Sequence, residues 1–256
     1  MFPAQRIAIL KSILQEKKTV DITTLRDALE VSDVTVRKYL DRLEEEGFLK
    51  KMHGGAILNE CFEESDEAER LIHDIEEKEQ IADLAVSLVN EGDSIFLGAG
   101  TTCLLLSKRL ARIKNLTVVT NNINALDILA PSIRNLYFIG GEVVYRDGLM
   151  FSYGPKALTQ LEGMFVQKSF ISVEGVDLKA GLTVNDIGIL EIIKKVEEIS
   201  RSVIIMANHN KFNKIGLHHV APIDRYKIYV SSEKVEEKYK EYLFMNDIKI
   251  LTSYAI

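Results

Sequence analysis

The placement of acidic charge limits this chain's architecture more than any other feature. Residues 59–80 hold ten Asp and Glu against two Lys and Arg, a net charge of −8. Residues 1–58 hold 10 basic and 9 acidic side chains, and residues 81–256 hold 20 and 19, so each flank is nearly neutral. A segment this charged reads as a solvated linker or an exposed helix face rather than a core element. It divides the chain into a small N-terminal domain (1–58), an acidic linker (59–80) and a body (81–256), and 256 residues suit two domains. A hydrophobic content of 46% rules out a disordered chain. No apolar run approaches 18 residues, so no membrane span is expected. The stretch Met1 to Arg6 does not lead from positive charge into an apolar run, so no secretory signal is expected either. Cys61 and Cys103 cannot form a disulfide framework and fit a reducing cytoplasm. His209, His218 and His219 lack a recognised ligand spacing, so neither a metal nor another cofactor is expected.

In the first 58 residues, Ile7, Leu10, Ile13 and Leu14 recur at helical spacing and predict a helix over Ala4–Lys17. Val20-Asp21-Ile22 reads as extended. Thr23 and Thr24 are expected to cap a second helix bearing Leu25, Ala28 and Leu29. Ser32 is expected to cap a third, whose inner face is Val36, Leu40 and Leu43. Two helices joined by a tight turn form a helix-turn-helix. The third helix then turns Asp33, Thr35, Arg37, Lys38 and Arg42 outward. Arginine and lysine reach guanine edges or phosphates from such a helix. For the three helices alone, a solvated cationic face is an equally good reading. The next stretch decides between them. Gly47 ends the helix, and Phe48–Met52 and Ala56–Leu58 read as strands around His53-Gly54-Gly55. A hairpin directly after a recognition helix is a wing, offering Lys50, Lys51 and His53 to the flanking backbone or minor groove. The expected DNA contacts are therefore Ser32, Asp33, Thr35, Arg37, Lys38, Arg42, Lys50, Lys51 and His53.

The run Val31-Ser32-Asp33-Val34-Thr35-Val36-Arg37-Lys38-Tyr39-Leu40, followed by Leu43-Glu44-Glu45-Glu46-Gly47 and Lys51-Met52-His53-Gly54-Gly55-Ala56, resembles the head of DeoR/GlpR-type bacterial transcriptional regulators. Arg37-Lys38 matches that family's basic pair, whereas Tyr39 stands where the family usually has an acid. The resemblance implies operator DNA as partner.

In the body, Ser94–Leu97, Leu116–Thr120, Leu136–Ile139, Ser169–Val173, Ser202–Met206 and Tyr226–Val230 read as strands. Helices are expected from near Ile75 to Val89, over Cys103–Leu110 and over Ile123–Leu129. This alternation predicts an α/β fold with a mostly parallel sheet covered on both faces. Such sheets bind ligands at the carboxyl ends of their strands. There stand Gly98-Ala99-Gly100-Thr101-Thr102, Asn121-Asn122, Gly140-Gly141-Glu142, Glu174-Gly175 and Ala207-Asn208, with Lys211 beyond. Glycines admit an anion to the backbone, and a helix start supplies free N–H groups. One glycine-rich strand end is commonly a tight turn; three on one edge favour a ligand site. The expected effector contacts are Gly98, Gly100, Thr101, Thr102, Asn121, Gly140, Gly141, Glu174 and Lys211. The first loop is neither a dinucleotide fingerprint nor a P-loop, lacking the third glycine and the lysine respectively.

Gly92-Asp93, Gly100-Thr101-Thr102, Thr120-Asn121, Gly140-Gly141-Glu142, Gly154-Pro155, Glu174-Gly175-Val176-Asp177, Gly181-Leu182-Thr183 and Lys211-Phe212 extend the resemblance to the same family's effector domain. That domain is similar in fold to ribose-5-phosphate isomerase and is associated with phosphorylated sugars. The chain departs from the pattern at Gly98, where an acid is frequent, and at Ile193, where a lysine is usual two residues after Glu191. It departs again at Asn208-His209, where an aspartate and a small polar residue are common. The resemblance implies a cytoplasmic repressor of a carbohydrate operon, relieved by a sugar phosphate. Two-fold operators call for a homo-oligomer, a dimer or tetramer. The segment Asn59–Gln80 is the expected transmission element. The competing expectation is a sugar-phosphate isomerase with a vestigial head and Glu174 as its base, although Asn208 lacks the carboxylate and Ile193 the cation such chemistry would use.

Overall fold

The computed structural model describes residues 3–29, 31–45, 48–52, 54–58, 74–146 and 148–252. The chain divides into two compact units, Met1–Ala68 and Glu69–Ile256.

The first unit runs α1 (Pro3–Lys17), β1 (Thr19–Asp21), α2 (Ile22–Leu29), α3 (Asp33–Glu45), β2 (Leu49–Met52) and β3 (Gly55–Leu58). Leu10 and Leu14 of α1, Leu25 and Leu29 of α2, and Val36, Leu40 and Leu43 of α3 share one core with Phe48, Leu49 and Ala56. The cap of α2 differs from expectation. Asp21 accepts from Thr24 N at 2.9 Å and from Thr24 Oγ1 at 2.7 Å. A carboxylate also complements the positive helix start, which a hydroxyl does not. The wing has three antiparallel strands in the order β1-β3-β2. Gly55 makes the β1–β3 approach possible, since a β-carbon there would overlap the Val20 carbonyl.

The second unit is built on seven parallel strands in the order β15-β14-β12-β9-β4-β5-β6. They are β4 (Ser94–Leu97), β5 (Thr117–Thr120), β6 (Asn135–Phe138), β9 (Val166–Ser172), β12 (Ser200–Met206), β14 (Ile228–Val230) and β15 (Lys249–Leu251). Alternate side chains feed opposite faces. Ile95, Leu97, Val118, Phe170 and Ile204 pack with α4 (Ile75–Val86) and α5 (Thr101–Leu110). Phe96, Val119, Ile171, Val203 and Ile205 pack with α7 (Pro155–Leu161), α8 (Ile187–Ile199) and α9 (Glu237–Met245). A 3-10 turn, Ile123–Ala125, leads into the short α6 (Leu126–Leu129).

Two antiparallel additions have no counterpart in the alternating pattern of the sequence. One is the hairpin β7 (Glu142–Arg146)/β8 (Leu149–Tyr153); the other is a sheet of β10 (Gly175–Asp177), β11 (Gly181–Val184) and β13 (His218–Ala221). Helix α4 begins at Ile75, within the second unit, and buries Glu77 and Lys78. Residues 59–73 lie outside the described residues. Among the described residues no helix is long and apolar enough to cross a membrane.

From β4 the chain lays down β5 and β6 on one side, then returns through β9 to the other side and adds β12, β14 and β15. The order thus reverses between β4 and β9, and a crevice opens at their carboxyl ends.

Candidate functional site

In the winged unit, α3 is capped by Ser32, whose Oγ lies 3.4 Å from Thr35 N and 3.1 Å from Thr35 Oγ1. Ser32 and Thr35 thus bond each other. With Val36, Leu40 and Leu43 inward, Asp33, Arg37, Lys38 and Arg42 are exposed. Asp33 lies 3.8 Å from Arg26. Lys50 is exposed on β2. Lys51 is tied down: its Nζ is 2.7 Å from Asp41 and 3.0 Å from Glu44, and its N–H donates to Glu44 Oε1 at 2.8 Å. The hydrogen bonds to Asp41 and Glu44 raise the Lys51 pKa, and the Lys51 N–H lowers that of Glu44. His53 lies outside the described residues. Sequence reasoning missed Val34, 65% exposed in the first turn of α3. Its signal was an apolar residue off the buried stripe, one turn before Arg37 and Lys38.

In the body, the crevice at the strand-order reversal is a cavity of about 420 Å³. Gly100, Thr101 and Thr102 enter it from the start of α5, Ser172 and Glu174 from the end of β9, and Asn208, Asn210 and Lys211 from beyond β12. Helix α4 adds Asp74 and Lys78, the β7–β8 hairpin adds Arg146 and Phe151, and Asp186 comes from the start of α8. Gly100 has φ 120° and a β-carbon there would lie 3.1 Å from the Ser172 Cβ, so the tight entry into α5 needs glycine. Asp186 caps α8 through Gly188 N at 2.8 Å and holds Arg146 at 2.8 Å, which fastens the hairpin over the cavity. Lys78, Lys211 and Lys214 supply positive charge. Burial, and then the neighbouring Lys211 cation, push the Lys78 pKa down. An anion bound beside it would offset both effects.

Of the nine expected effector contacts, Gly100, Thr101, Thr102, Glu174 and Lys211 meet in this cavity. The other four do not line it. Gly98 donates to the Phe170 carbonyl, and a β-carbon there would sit 3.2 Å from that oxygen, so this glycine serves β4–β9 packing. Asn121 is fully buried and donates through Nδ2 to the Ser152 carbonyl at 3.0 Å. Gly140 exchanges hydrogen bonds with the Gln160 amide, and Gly141 lets the chain approach the Tyr153 carbonyl. Asn121, Gly140 and Gly141 anchor the hairpin and its flank. Lys78, Arg146, Asp186 and Lys214 were not anticipated. Lys78 sits in the acidic run, and Arg146 on a hairpin the sequence did not announce. Ile193 is buried in the core, and Lys194 donates to the Val220 carbonyl at 2.6 Å, away from the cavity. Among the described residues no cluster of three or more His, Cys, Asp or Glu could hold a metal ion.

Comparison with known proteins gives the same two-part division. The DeoR-like helix-turn-helix domain matches residues 6–62, and the DeoR C terminal sensor domain matches residues 73–233. The uncharacterized HTH-type transcriptional regulator FruR of Bacillus subtilis is 32% identical over 224 residues, covering 87% of this chain and 88% of its own. The lactose phosphotransferase system repressor of Streptococcus mutans is 36% identical over 177 residues, covering 67% of this chain and 69% of its own. Ribose 5-phosphate isomerase from Plasmodium falciparum aligns with a TM-score of 0.39 at 18% identity, covering 53% of this chain and 52% of its own. With both family descriptions matched in order, and the sensor match alone spanning more than half of the chain, the protein belongs to the DeoR family of helix-turn-helix transcriptional regulators.

Proposed function

We propose that the protein is a cytoplasmic, homo-oligomeric repressor of a carbohydrate operon, and that a phosphorylated sugar bound in the body relieves repression. The domain limits we assign are 1–58 for the DNA-binding wing and helices, 59–73 for the linker and 74–256 for the sensor. Arg37, Lys38 and Arg42, with Lys50 on the wing, are the assigned DNA-facing cations. The observation that carries the effector assignment is the cavity at the strand-order reversal, which Lys78, Lys211 and Lys214 line together with the open start of α5. A phosphate group suits free helix-start N–H groups beside cations. Glu174 and Asn185, which also line the cavity, suit sugar hydroxyls. The Streptococcus mutans relative, by name a lactose phosphotransferase system repressor, favours a carbohydrate signal.

The test is a thermal-shift panel of sugar phosphates on the full chain, followed by gel shift on DNA upstream of its own gene. The expected result is stabilisation by at least one sugar phosphate and its release of the protein from DNA. Stabilisation by none moves the effector to another chemical class.

No catalysis is assigned to Glu174. Asn208, which stands where the family has an aspartate, is occupied with Asp74. Isomerase turnover by pure protein, abolished in Glu174→Gln, would overturn the sensor assignment.

A further inference from the structure

We infer that Asp74 is a built-in competitor for the effector's anionic group, held by donors that the ligand also needs and expelled when the ligand binds. The inference rests on the effector reading of the cavity and adds the step by which occupancy is passed on.

Asp74 Oδ2 accepts from Asn208 Nδ2 at 3.1 Å and from Asn210 Nδ2. Both asparagines line the cavity, as does Asp74 itself, and Lys78 stands one helical turn further on. A carboxylate therefore occupies amide donors next to the cations an incoming phosphate would seek. A dianion beside it meets like-charge repulsion.

The backbone shows what the clasp holds back. Asp74 has φ 57° and ψ 29°, the left-handed region, which aspartate tolerates but which differs from the extended backbone of an ordinary capping residue. It stands at the N-cap of α4, where aspartate ordinarily bonds the first turn of its own helix, yet it makes no such bond. Its side chain is committed to the asparagines instead. Expulsion of the carboxylate frees it to cap α4 from the extended backbone that a capping residue adopts.

The rest of the first turn is fixed. Glu77 accepts from His209 N at 2.7 Å, from His209 Nδ1 at 2.6 Å and from Ser232 Oγ at 2.6 Å. That fully engaged carboxylate pins α4 to the loops after β12 and β14, so the change is confined to Asp74. In sequence, Asp74 is also where the chain coming from the DNA-binding unit enters this helix.

The test uses the full chain and two probes, inorganic phosphate and the sugar phosphate most stabilising in the panel above. Asp74→Asn keeps the size and acceptor oxygen and removes the charge. Asparagine also tolerates the left-handed conformation well, so the fold is kept. The expected result is about tenfold tighter binding of both probes, with most of the ligand's effect on operator affinity lost. Tighter binding and weaker coupling belong together, because a ligand that no longer works against the clasped state cannot shift the equilibrium away from it. Weaker probe binding in Asp74→Asn would make Asp74 a ligand contact and overturn the inference. Unchanged binding with unchanged coupling would overturn it equally. A wild-type chain that binds neither probe refutes the effector reading itself, and the competitor with it.

Discussion

Lys51 Nζ lies 2.7 Å from Asp41 Oδ1, so the wing's second lysine spends its charge on the recognition helix. Lys50 faces out from the same strand. Neutralising a phosphate releases counterions and steepens salt dependence. Lys50→Ala is therefore expected to lower the slope of log affinity against log salt by about one, and Lys51→Ala by much less. Operator titrations at several salt concentrations check this, and equal losses would place Lys51 on the DNA.

The same contact sets an acid limit for the winged unit. The Lys51 N–H and ammonium hold the Glu44 carboxyl below its usual range. A depressed carboxyl contributes stability above its unfolded pKa and loses it as pH falls through the folded pKa. The unit should thus weaken in acid, below the ordinary carboxylate range, and Glu44→Gln, which removes the titrating group, should flatten that decline. Melting temperatures of wild type and variant across pH 2–7, roughly the range where carboxylates titrate, measure the difference.

Arg37 and Val34 sit one turn apart on the exposed face of α3. Arginine pairs with a guanine edge, and an apolar side chain packs on a thymine methyl. Arg37→Ala is expected to weaken operator binding by about tenfold or more. Val34→Ser should cost less and relax preference at a single thymine. Selection from randomised DNA reads both effects, and an unchanged preference in Arg37→Ala would remove it from base recognition.

The Lys78 ammonium is pushed down by burial and by Lys211. An anion bound beside it restores its proton, so binding above the lowered pKa takes up a proton. Affinity should then fall with rising pH earlier than an ordinary lysine would dictate. Calorimetry in buffers of different ionisation enthalpy counts the proton, and Lys78→Gln should abolish the uptake.

Cys103 is fully buried in α5, where burial pushes its thiol up to about 12, and its Sγ lies 3.7 Å from the Phe170 carbonyl. Thiolate is the reactive form. In a Cys61→Ser background the native chain should leave a disulfide reagent unreacted and consume one equivalent once unfolded. Rapid native labelling would contradict the packing of α5 against the sheet.

Much of the body was legible because buried parallel strands write themselves as short apolar runs between helices, and Ser94–Leu97 matches to the residue. The β7–β8 hairpin was not. Glu142, Val143, Tyr145 and Arg146 of its first strand are exposed, so no buried face imposes a readable period. At the site, glycine at a strand end could be seen, but not its purpose. Gly100 opens the cavity, whereas Gly141 only admits a neighbouring backbone. Lys78 escaped notice because the acidity around it hid one buried cation. The α2 cap was misread because Asp21, Thr23 and Thr24 all carry a side-chain oxygen at the helix start, and sequence alone does not say which oxygen closes the turn.

The reversal of strand order between β4 and β9 has a further consequence, for the order of synthesis. The cavity draws its walls from Asp74 through to Lys214, and its floor needs β9 inserted beside β4 and then β12 beside β9. The core of the winged unit, in contrast, draws on no described residue later than Leu58. A nascent chain thus gathers the core of the helix-turn-helix long before the walls of the cavity exist.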